Sequence, residues 1–106
     1  MANFDFKYDE RLDLHLPVLH KPWEELSEKE QEEVLYRWEQ IRSQIPERIK
    51  ALEKKIKQLE TQLQTEDDYQ IFCKLSERIT ELASRLIDLN VWFRTHEEIT
   101  AKKAHQ

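Results

Sequence analysis

The chain of 106 residues contains 0 Gly, 3 Pro and 1 Cys, and each scarcity removes a class of structure. Without glycine there is no phosphate-cradling loop, no dinucleotide fingerprint and no glycine-flanked nucleophile turn. Tight hairpin turns also lose their preferred residue. The lone Cys73 leaves no internal disulfide and no cysteine-rich zinc site, and it fits a reducing, cytoplasmic setting. No run is apolar enough to span a membrane or to act as a secretory signal.

What is present is charge and helical periodicity. Charged residues make up 37% of the chain, with 17 basic against 22 acidic side chains and a formal charge of −5. That balance favours solubility and gives no general attraction for nucleic acid.

Residues 1–26 differ from the rest. Phe4, Phe6 and Tyr8 alternate with Asp5 and Lys7, and Leu12, Leu14 and Leu16 alternate with Asp13 and His15, which is the strand period. A small hairpin is one solution, but the joint lacks Asn-Gly chemistry and an isolated strand pair is marginal in water. The favoured expectation is an extended arm lying along a helical surface, with Pro22 opening a short helical turn through Trp23 and Leu26.

A long helical segment starts at Ser27, where Ser27-x-x-Glu30 matches a capping box. Val34, Trp38, Ile41 and Ile45 are followed by Ile49, Leu52, Ile56, Leu59 and Leu63, a heptad seam with one fault at Pro46. Proline inside a helix costs about 3 kcal/mol. The helix therefore either kinks there, which is the favoured reading, or restarts with Ser43 as its cap. A second signature, Thr65-x-x-Asp68, opens another helix with an unbroken seam of Phe72, Leu75, Ile79, Leu82, Leu86, Leu89 and Phe93.

So short a break folds the two seams back antiparallel. The expected layers are Leu59 with Phe72, Ile56 with Leu75, Leu52 with Ile79, Ile49 with Leu82 and Ile45 with Leu86. The expected fold is all-α: a coiled-coil-like antiparallel helical hairpin over 27–100, with helices near 28–64 and 68–99 and a kink or break near 46. An N-terminal arm over 1–26 and a flexible tail over 101–106 flank it, and dimerisation completes a three- or four-helix bundle.

The last helix carries a second row, Tyr69, Cys73, Ser76, Thr80, Ala83 and Ile87, again stepping by four and three. Its small side chains admit another backbone, so Tyr69, Cys73, Ala83 and Ile87 are assigned to self-association. Arg48, Lys55, Arg78 and Arg85 fall on one flank of the hairpin and repel one another. The glutamates between Glu24 and Glu39, placed on a second chain, would answer them, and dimer affinity would then depend on salt.

Chemistry-bearing candidates are few. Asp13, His15 and His20 are close in sequence but have no metal-ligand spacing, Cys73 has no evident base beside it, and no catalytic set, cofactor, metal or small-molecule substrate is expected. Trp38, Trp92, Arg94 and His96 gather at the open end of the hairpin and are residue types that dominate protein interfaces. The sequence thus reads as a non-enzymatic protein-interaction or adaptor protein, a homodimer that binds another protein through that aromatic end or through the N-terminal arm. The alternative is a nucleic-acid-associated regulator using the basic flank around 48–57, although glutamates interrupt that run and no aromatic residues are interleaved for stacking.

Overall fold

The computed structural model describes residues 3–104, with side chains through Thr95. In chain order the elements are β1 (Phe4–Asp9), β2 (Leu14–Leu19), a single 3-10 turn (Trp23–Glu25), α1 (Glu28–Arg42), α2 (Ile45–Thr65) and α3 (Tyr69–Ala104). The chain is mostly helical, and no described helix is long and apolar enough to cross a membrane. It divides into two compact units. One comprises the chain up to Gln44 together with the residues from Trp92 onward, and the other is Ile45–Val91.

The all-α expectation is corrected in the first unit, because the N-terminal segment is an antiparallel β-hairpin and not an extended arm. Phe4 pairs with Leu19, Phe6 with Pro17 and Tyr8 with His15. The joint manages without glycine by two uses of aspartate. Asp9 accepts the Leu12 amide through Oδ1 at 2.9 Å, which turns the chain, and Asp13 takes the left-handed conformation at φ 54°, which a short polar side chain tolerates better than most. The Tyr8 hydroxyl donates to the Asp13 carboxylate and fixes that residue from the facing strand.

Burial then holds the hairpin. Cross-strand neighbours share a face, so Phe4 and Phe6 lie on one side and Leu14 on the other, and all three are buried along with Leu12 of the turn. Each such side chain contributes roughly 1.5 to 3 kcal/mol gross, which an isolated strand pair lacks.

The His20 amide donates to the Asn3 carbonyl at 2.8 Å, so alternate pairs counted from there exchange ladder bonds and Phe6 with Pro17 does not. The Phe6 amide is instead taken by Asp5 Oδ1 at 2.8 Å, and Pro17 has no amide to offer.

Strand β2 packs against α1. The helix begins with the complete capping box read from the sequence: Ser27 Oγ accepts the Glu30 amide at 3.1 Å, and Glu30 Oε1 accepts the Ser27 amide at 3.0 Å. Glu30 Oε2 also accepts from Asn3 Nδ2 at 2.9 Å, tying the start of the hairpin to the start of the helix. The 3-10 turn follows Pro22 as expected, and its Trp23 carbonyl accepts from Gln31 Nε2 at 2.9 Å.

The chain breaks at Ser43 and Gln44 between α1 and α2. Ser43 does not open the second helix. It closes the first, with its amide on the Glu39 carbonyl and its Oγ donating to the Gln40 carbonyl at 2.6 Å. The break places Pro46 as the second residue of α2, where a missing amide costs no helical hydrogen bond.

In the unit Ile45–Val91, the row Ile45, Ile49, Leu52, Ile56, Leu59 and Leu63 is turned from solvent on α2, and of the other residues of α2 only Arg48 is similarly shielded. On α3 the row Leu75, Ile79, Leu82, Leu86 and Leu89 is shielded in the same way, with Leu82 and Leu89 fully buried. Two helices joined by three residues inside one compact unit, each with one apolar row, meet the requirements of an antiparallel hairpin.

The cap of α3 is Asp68 and not Thr65. Asp68 Oδ1 accepts the amides of Gln70 and Ile71 at 2.9 and 3.2 Å, while Thr65 is the last residue of α2. At its other end α3 continues to Ala104, past the expected stop near 99. The sequence Ala101-Lys102-Lys103-Ala104 favours helix, and lysines suit a helix C-terminus.

Candidate functional site

Two surfaces were candidates from the sequence, and the structure treats them differently. At the aromatic cluster, Trp38 sits one helical turn beyond Val34 on the buried face of α1 and is 2% exposed. It meets Trp92 edge to face with ring centroids 5.6 Å apart. Trp38 is thus withdrawn from any surface, because its periodic position aims it into the core.

The Trp38 Nε1–H is buried with no acceptor among the described residues. Leaving such a donor unmet costs on the order of 1 to 3 kcal/mol, so what the ring contributes there is size and packing.

Beside it, Arg42 spans α1 and α3. Its Nε donates to the Phe93 carbonyl at 2.8 Å, its guanidinium lies 4.0 Å from the Phe93 ring centroid, and it pairs with Glu39 at 3.6 Å. Nothing in the sequence pattern singles out Arg42 for this role. The one available signal was its place in the last turn of α1, where a cation suits the helix dipole. Arg37 similarly caps the Phe6 ring at 4.4 Å. Arg94 is exposed, and His96 lies outside the residues whose side chains are described.

The second surface is the row on α3. Tyr69 is 78% and Ile87 is 62% exposed, while Cys73, Ser76 and Ala83 between them are half-buried. Thr80 is exposed, but its hydroxyl is already satisfied, donating to the Ser76 carbonyl at 3.0 Å. Phe72, the first residue of the hairpin seam, is also 40% exposed beside this row.

Two residues of the basic flank, Arg78 and Arg85, find an acidic partner within α3. Glu81 pairs with Arg78 at 3.2 Å and with Arg85 one turn on. Hydrogen bonds, first from Arg85 and then from Arg78, hold the Glu81 carboxyl below its ordinary value. At Glu30 the leading cause of a similar lowering is the Ser27 backbone hydrogen bond, followed by Asn3.

Of the residues considered for metal, Asp13 accepts from Tyr8, and the His15 ring packs 5.2 Å from the Tyr8 ring. Among the described residues no three His, Cys, Asp or Glu side chains gather as a metal site would require.

Compared with known proteins, the chain matches no family model, and no curated protein or solved structure is significantly similar to it. A mostly helical chain with an N-terminal β-hairpin and an uncovered apolar helix face is the class that fold and surface define. The functional reading rests on that face alone.

Proposed function

We propose that this chain is a non-enzymatic protein-interaction protein, a helical hairpin that self-associates through α3. The observation that carries the reading is the exposure of Tyr69 and Ile87 at 78% and 62% on a row that keeps helical spacing between them. Large apolar side chains left in water at both ends of one row lose the burial that a partner helix supplies. The α3 row supports self-association better than the aromatic cluster does, because Trp38 is buried and Trp92 packs on it.

Light scattering across a concentration series tests this. Wild type is expected at twice the chain mass, and Ile87→Lys at the chain mass with helicity retained, since Ile87 makes little contact within the chain. A wild-type protein that remains monomeric throughout the series overturns the proposal.

A further inference from the structure

We draw no further inference here: the strongest candidate, the exposed apolar patch of Tyr69, Ile71 and Phe72 where α3 begins, shares Tyr69 with the face already described, and nothing in the structure shows what covers it.

Discussion

The two compact units are stabilised in different ways. In the unit built on α1, side chains far apart in sequence make specific contacts: Asn3 with Glu30, Arg37 with Phe6, Trp38 with Trp92, and Arg42 with Phe93. In Ile45–Val91 the ion pairs of Glu81 with Arg78 and Arg85 join residues three and four positions apart on one helix, and apolar rows carry the packing. A unit of the first kind depends on individual residues. A unit of the second kind depends on a repeated pattern in which neighbouring layers share the load.

The sharpest way to break that contrast is a pair of substitutions at equally buried sites. Trp38→Ala is expected to cost about 3 to 5 kcal/mol and Leu82→Ala about 2 to 5 kcal/mol, both measured by chemical denaturation, and both residues are 2% exposed. Amide exchange separates them further. Trp38→Ala should raise exchange throughout the β-hairpin, whereas Leu82→Ala should raise it only in the α2 and α3 layers nearest the cavity. Because the Trp38 Nε1–H has no acceptor among the described residues, Trp38→Phe should cost much less than Trp38→Ala.

The next effect is local. Ser27→Ala removes the acceptor for the Glu30 amide and is expected to lower stability by about 1 kcal/mol, read from the same denaturation curves. It keeps the Ser27 backbone N–H, the leading cause of the lowered Glu30 pKa, and removes only the smaller Ser27 side-chain contribution. A depressed carboxylate contributes stability above its ordinary value, 4.5 here, and loses it as pH falls through its own lower pKa. Wild type should therefore lose stability in acid below that value. Carboxyl titration by NMR should place both Glu30 and Glu81 beneath it.

The smallest expected effect is at Glu81. Its pairs with Arg78 and Arg85 are solvent-exposed, so Glu81→Gln should leave the melting temperature almost unchanged. A large loss would mean that the periodic unit also depends on specific contacts.

The same contrast explains what the sequence made legible. The seam from Leu75 to Leu89 and the capping box at Ser27 could be read because each is written within one or two helical turns. The β-hairpin was passed over because its turn uses Asp9 and Asp13 where the common signal is glycine, and the left-handed φ at Asp13 leaves no mark in composition. The signature Thr65-x-x-Asp68 made Thr65 the cap, but it is Asp68, three residues on, that accepts the first free amides of α3. The Arg42 contact with Phe93 joins positions 51 residues apart, and no local pattern announces it. At the candidate surfaces, periodicity placed Trp38 on the apolar side of α1 correctly, but residue type alone suggested an interface where the fold buries it.

The Phe6 and Pro17 pair bears on how the molecule can grow. A two-stranded sheet has two open margins, each a template on which further strands could stack without limit. Here the outward amide of Phe6 is held by Asp5, and Pro17 offers none on the opposite margin. Recruitment of further strands into a fibre is therefore interrupted midway along both margins.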